Sequence, residues 1–258
     1  MRYFVIDTFT RNVFAGNPAG VCLVDKPIDS KTMQNIAFEN NLAETAFIRK
    51  KGDDFDLRWF TPETEIDLCG HATLASAFVI SQFFDSSIEI MRFHTRSGML
   101  PVTKKGDLFE MDFPSRKAIQ KAVTPFMEQA LGAPVLEAHL ARDMLLLVED
   151  EKTVTAIQPN LECIKQIPDA FGVIVTAKGD KVDFVSRFFA PNAGIPEDPV
   201  TGSSHSTLIP FWSERLDKTK MVAKQLSKRG GTLYCEHCEE RVKISGYAVL
   251  YLSGEIHV

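Results

Sequence analysis

A chain of 258 residues holds one large domain or two small ones, and 45% hydrophobic with 24% charged residues is the balance of an ordinary globular protein. The net charge of −5 argues against a nucleic-acid partner, because phosphate contacts want a basic face and the one compact basic cluster, residues 227–231, is small. No apolar run approaches the ~18 residues of a membrane span, and five scattered cysteines, an odd number, read as reduced thiols of a cytoplasmic protein.

The opening "MRYFVIDTFT" alternates like a strand and carries Asp7 where a leader's apolar core would continue, so no secretory leader is expected. "AGVCLV" pairs with it across a turn-rich segment. "DSKTMQNIAFENN" has helical spacing, with Met33, Ile36 and Ala37 on one face and Asp29 or Ser30 as cap. "TAFIRK" and "FDLRWF" form strands around a "KGDD" turn. "HATLASAFVISQFF" is apolar almost all round, which predicts a buried helix, and a meander closes the first half. In the second half "TPFMEQALG" is a signposted helix, with Thr124 as cap, Pro125 in the first turn and Gly132 at the end. Further strands, a Pro/Gly-rich loop, a helix from Ser203 and a terminal meander follow.

The halves echo each other. "LRWFTPETEIDLCGHATLASAF" and "VSRFFAPNAGIPEDPVTGSSHSTLIPF" share an Arg-aromatic-Phe strand end, a Pro, an acidic loop, a Gly and a small-residue helix. Arg58 matches Arg187 at an offset of 129, and Gly70 matches Gly202 at an offset of 132, so the second loop is three residues longer. A repeat of half the chain means two similar lobes rather than a solenoid.

Glycine and small residues at a helix start leave backbone N–H groups exposed at the positive end of the dipole, an arrangement that can hold an anion or only make a turn. Cys69 is open to two readings, a thiolate activated by the helix start or a buried small hydrophobe. His71 can be a site residue or a hydrogen-bonded core residue. Glu44 sits among small and apolar residues as a strand begins, where a desolvated carboxyl would suit proton transfer and an exposed strand-end Glu would not. Asp198 can order its turn or bind a ligand. His205 does not share a face with Ser203, and no G-x-S-x-G is present, which weakens a Ser-His nucleophile. The single C-x-x-C at Cys235 and Cys238 is half a zinc site, placed in a hairpin turn, so no metal ligand set is expected.

"DTFT…FAGNPAGV", "NNLAETAF", "LRWFTP…EIDLCGHATLA" and "FFAPNAGIPEDPVTGSSHSTLIPFW", in this order and over nearly the whole chain, resemble the phenazine-biosynthesis PhzF-like family. The resemblance implies an α+β fold of the diaminopimelate epimerase type. Two pseudo-symmetric lobes each wrap a curled, mostly antiparallel sheet around a central helix, with the active site in the cleft between them. Residues 1–113 would form the first lobe, with its helix near 71–84. Residues 114–258 would form the second, with its helix near 203–215 and the last strand a candidate to cross back. The family implies a cofactor-independent isomerase that moves a proton on a small carboxylate-bearing metabolite, working as a cytoplasmic homodimer. Glu44 then becomes the general acid/base, with Asp198, His71 and Ser203 assisting. Gly70, Ala72, Gly202, Ser204, Thr201 and Cys69 bind substrate. Two alternatives stand beside this. One is a hydroxyproline dehydratase or epimerase-like enzyme using Cys69 and Thr201, since the second thiol of the racemase relatives is missing. The other is a non-catalytic small-molecule binding protein on the same fold.

Overall fold

A computed structural model describes all 258 residues. The chain divides into a first unit, Met1–Asp112 with Ser245–Val258, and a second, Phe113–Ile244. The first contains β1 (Arg2–Thr8), β2 (Asn17–Leu23), α1 (Ser30–Asn40), β3 (Glu44–Lys51), β4 (Asp54–Phe60), β5 (Glu65–Ile66), α2 (Gly70–Phe83), β6 (Ile90–Thr95), β7 (Gly98–Lys105) and β8 (Leu108–Pro114). The second continues with β9 (Ile119–Lys121), α3 (Pro125–Leu131), β10 (Glu137–Leu140), β11 (Met144–Leu147), α4 (Glu151–Ala156), α5 (Leu161–Ile164), β12 (Val173–Lys178) and β13 (Phe184–Phe189). Then come α6 (Gly202–Leu216), β14 (Lys220–Gln225), β15 (Gly231–Cys238) and β16 (Arg241–Gly246). The last strand, β17 (Ala248–Glu255), pairs antiparallel with β1 in the first unit.

The duplication read from the sequence is a duplication of ladders. In the first unit β1–β2 is antiparallel, β2–β3 parallel, β3–β4 antiparallel, β4–β6 parallel and β6–β7 antiparallel. In the second, β10–β11, β11–β12, β12–β13, β13–β14 and β14–β15 repeat that sequence in the same order. Antiparallel ladders predominate in each unit, as expected.

Each unit has one long helix buried almost all round. On α2 the side chains of Ala72, Leu74, Ala75, Ala77, Val79 and Ile80 are wholly buried, which is what an all-apolar helix requires. On α6, Pro210 lies inside the helix and cannot donate to the carbonyl four residues back, Ser206. The Arg116 backbone N–H takes that carbonyl at 2.9 Å, so the proline's missing donor tethers a neighbouring segment. No helix is long and apolar enough to cross a membrane.

The loop before each central helix is clamped in the same way. Arg58 reaches both oxygens of Glu65 at 2.7 Å, and Arg187 reaches those of Glu197 at 2.7 and 3.1 Å. Each guanidinium also covers its own strand's phenylalanine, Phe60 or Phe189. Glu65 and Glu197 stand at the offset of the glycines, 197 − 65 = 132, so the clamp spans the three-residue insertion. Bidentate pairs of this kind fix a loop's path as well as its charge.

Of the two cap candidates for α1, Asp29 caps it, accepting from the Thr32 N–H at 2.9 Å, and one local expectation is revised. The "CEHC" stretch lies on β15 rather than in the hairpin turn. Three residues apart on a strand, Cys235 and Cys238 point to opposite faces, and Cys235 is buried.

Candidate active site

Glu44 is placed by the element before it. Asn41 closes α1 in the left-handed region at φ 49, a conformation Asn tolerates, and two residues later the chain enters β3 at Glu44. Because β3 pairs parallel with β2 in the interior of the sheet, Glu44 stands opposite Ala19 and is only 7% exposed. The exposed strand-end alternative is thereby set aside.

Across from it, Cys69 is the N-cap of α2, extended at φ −143 and ψ 112, and its side chain makes no capping bond. Gly70 and His71 open the helix. His71 Nε2 comes within 2.9 Å of Glu44 Oε2, and Cys69 Sγ lies 3.6 Å from His71 Nδ1 and 4.0 Å from Nε2. The Asn17 side-chain amide is 3.2 Å from Nδ1. The approach of His71 to Glu44 is short but poorly aligned, and the buried Oε2 has no oriented hydrogen-bond donor. This is the condition of a proton acceptor that is not already used up.

The electrostatics follow from burial and charge. Burial pushes the Cys69 thiol up, and the Glu44 charge pushes it further, against the pull of His71 and the Ala72 N–H. Burial alone would lower His71. The Cys69 sulfur and the Glu44 carboxylate beside it override burial and raise the imidazole well above its ordinary value.

In the second unit Thr201 is the N-cap of α6, again extended and again without a side-chain cap bond. Its hydroxyl donates to Asp198 Oδ2 at 2.6 Å. Buried Gln225 brackets the same loop, accepting from the Thr201 N–H at 2.8 Å and donating to the Asp198 carbonyl at 2.7 Å. Asp198 thus does order its turn. Gly202 is the first residue of the helix, and the Ser204 hydroxyl turns back to the Thr201 carbonyl at 2.9 Å. Ser203 Oγ accepts from Arg142 Nη2 at 3.1 Å. Arg142 also holds Asp143, whose carboxyl is raised, by burial first, in spite of the guanidinium. Arg116 lies close enough to feel both, its own pKa lowered by burial and by the Arg142 charge.

His205 is the contrast to His71. It is fully buried, its Nδ1–H donates to the Thr201 carbonyl at 2.8 Å, and Nε2 has no partner. With no carboxylate beside it, burial pushes its pKa down to about 4.

Sequence reasoning missed Asn17, Arg142, Arg116 and Gln225, which reach these loops only through tertiary contacts. It also missed Glu65 and Glu197, although their common offset was readable.

A family model described as "Phenazine biosynthesis-like protein" (PhzC-PhzF) matches residues 6–254. A Pseudomonas aeruginosa protein named as an uncharacterized isomerase is 47% identical over all of this chain and 99% of its own. The crystal structure of a phenazine biosynthesis protein of the PhzF family from Enterococcus faecalis superposes with a TM-score of 0.98 at 49% identity, covering 100% of this chain and 99% of that one. A probable proline racemase from Agrobacterium radiobacter, at 8% identity and a TM-score of 0.67 over 100% of this chain and 93% of that one, shares the fold.

Proposed function

The chain belongs to the phenazine biosynthesis-like family, and from that premise we propose that it is an isomerase moving a proton on a small carboxylate-bearing metabolite, with Glu44 as general acid/base. The observation that carries the reading is the buried Glu44 carboxylate, whose Oε2 has no aligned donor and lies 2.9 Å from His71. Glu44 takes a proton from a carbon activated by the substrate's carboxylate or a conjugated diene. The electron pair left behind spreads into that acceptor, and the carboxyl returns the proton to another carbon on the same face. One carboxyl suffices for a shift of this kind, whereas inversion of a stereocentre usually calls for two bases.

His71, protonated beside Glu44, supplies positive charge where negative charge develops, and the uncapped N–H groups of α2 add to it. Asp198 and Ser203 are assigned to substrate binding from the family resemblance, with Thr201, Gly202 and Ser204 on the same helix start. Arg142 joins them because it already holds Ser203, and guanidinium is the natural partner of a substrate carboxylate. Cys69 has no role in this step.

Deuterium wash-in tests the proposal. Protein in D₂O is incubated with pooled amino, hydroxy and cyclic-diene carboxylic acids and read by mass spectrometry. Label entering one compound should fall about 10²- to 10⁴-fold in Glu44→Gln, the usual worth of a positioned acid/base. Equal labelling by wild type and Glu44→Gln would remove Glu44 from the reaction.

A further inference from the structure

Three different donor types converge at the start of α2. The Glu44 carboxylate, the Cys69 sulfur and the His71 imidazole all lie within 4.8 Å of one another, and none is more than 7% exposed. A local motif search passes over them, because Glu44 is 69 − 44 = 25 residues before Cys69 and only the parallel pairing of β2 with β3 brings it in.

The spacing matches a small tetrahedral cation. Zinc takes sulfur at about 2.3 Å and nitrogen or oxygen at about 2.0 Å, which sets the ligand atoms roughly 3.3–3.6 Å apart. Here His71 Nε2 is 2.9 Å from Glu44 Oε2 and 4.0 Å from Cys69 Sγ. Small side-chain adjustments close the difference. The supporting group is also in place, since a ligating histidine usually donates its other ring N–H to a carbonyl or carboxylate. The Asn17 amide, 3.2 Å from Nδ1, presents its oxygen there in one of its two orientations. Positive charge at the helix start opposes a cation, but the two anionic ligands, thiolate and carboxylate, offset it.

We propose that Glu44, Cys69 and His71 form a binding site for one thiophilic divalent cation, of which Zn²⁺ is the type case, and that its occupancy blocks the Glu44 carboxylate. The three protein ligands leave a fourth position for water or a substrate oxygen. Binding sends the thiol proton and the Nε2 proton to solvent, so cation and protons compete for the same atoms. A protein that works metal-free would then be silenced reversibly by free zinc. The coordination site stands on geometry alone, while the silencing rests on the isomerase reading.

The experiment uses the purified chain after chelator dialysis, so no substrate is needed. Co²⁺ should give a near-ultraviolet thiolate-to-cobalt band together with the intense visible bands of tetrahedral coordination. Zn²⁺, titrated against a chromophoric chelator, should bind one per chain. Cys69→Ser should abolish the charge-transfer band, and Glu44→Gln and His71→Asn should each weaken Zn²⁺ at least tenfold. A Cys235→Ser/Cys238→Ser double variant should leave all of this unchanged. X-ray absorption on zinc-loaded wild type, which needs no variant, should show a single sulfur scatterer with nitrogen and oxygen completing the shell. No thiolate band in wild type, a band that survives Cys69→Ser, or a shell with no sulfur or two sulfurs would each overturn the proposal.

Discussion

Acidification should loosen the second unit through one buried histidine. His205 is wholly buried on α6, and its pKa is pushed down to about 4 because protonating Nε2 would bury a charge with no partner. In the unfolded chain the same ring titrates near 6.5. Above that value both states are neutral and His205 contributes no pH dependence. As pH falls from 6.5 towards 4 the unfolded state takes up a proton that the folded state refuses, so stability is lost. Between pH 8 and pH 5 the loss is about 2 kcal/mol for this residue alone. Urea unfolding at the two pH values measures it. Trp212 sits on the same helix and bonds Thr176 Oγ1 at 2.9 Å, so a Trp59→Phe background makes fluorescence report on α6. His205→Gln removes the titration, and the difference between the two proteins isolates it from every other group. If wild type and His205→Gln lose stability in parallel between pH 8 and 5, the account of His205 as a neutral buried ring fails.

His71 should behave in the opposite sense. Its pKa is raised in the fold, so its contribution is complete below about pH 6.5 and disappears as pH climbs through the raised value. The His71 ring resonances should titrate above the ordinary imidazole value and should titrate lower in Glu44→Gln; titration at or below the ordinary value would contradict the charge assignment. Arg187→Lys should loosen the loop before α6, because lysine cannot make the bidentate bond to Glu197. A loss of about 2 kcal/mol is expected for the charged hydrogen bonds, with faster amide exchange over residues 190–201. Arg58→Lys should do the same to residues 61–68, and exchange unchanged in both loops would refute the clamp.

The fold was legible where the signal is local. Thr124, Gly132 and the two small-residue helix starts each act through their own φ, ψ or cap, and the structure places them as read. The duplication was legible because both halves kept the Arg, Pro and Gly punctuation. The two short helices α4 and α5 were not seen, being six and four residues long, although Asp150 and Asn160 cap them in the usual way. The state of Glu44 could not be read locally, since the same "LAET" is exposed or buried according to which strand β3 joins. The two histidines make the point most sharply. Both lie in the first turn of a central helix, yet burial lowers His205 while Cys69 at the helix cap and Glu44, brought in by β3, together raise His71.

The return of residues 245–258 to the first unit also sets an order of events. That unit is built from two stretches of chain with the whole second unit inserted between them. During synthesis residues 113–244 can therefore close their own core while the first unit still lacks the strand that pairs with β1. Glu44 and His71 would be among the last groups to find a finished scaffold. Their surroundings would then be complete only after residues 245–258 have been made.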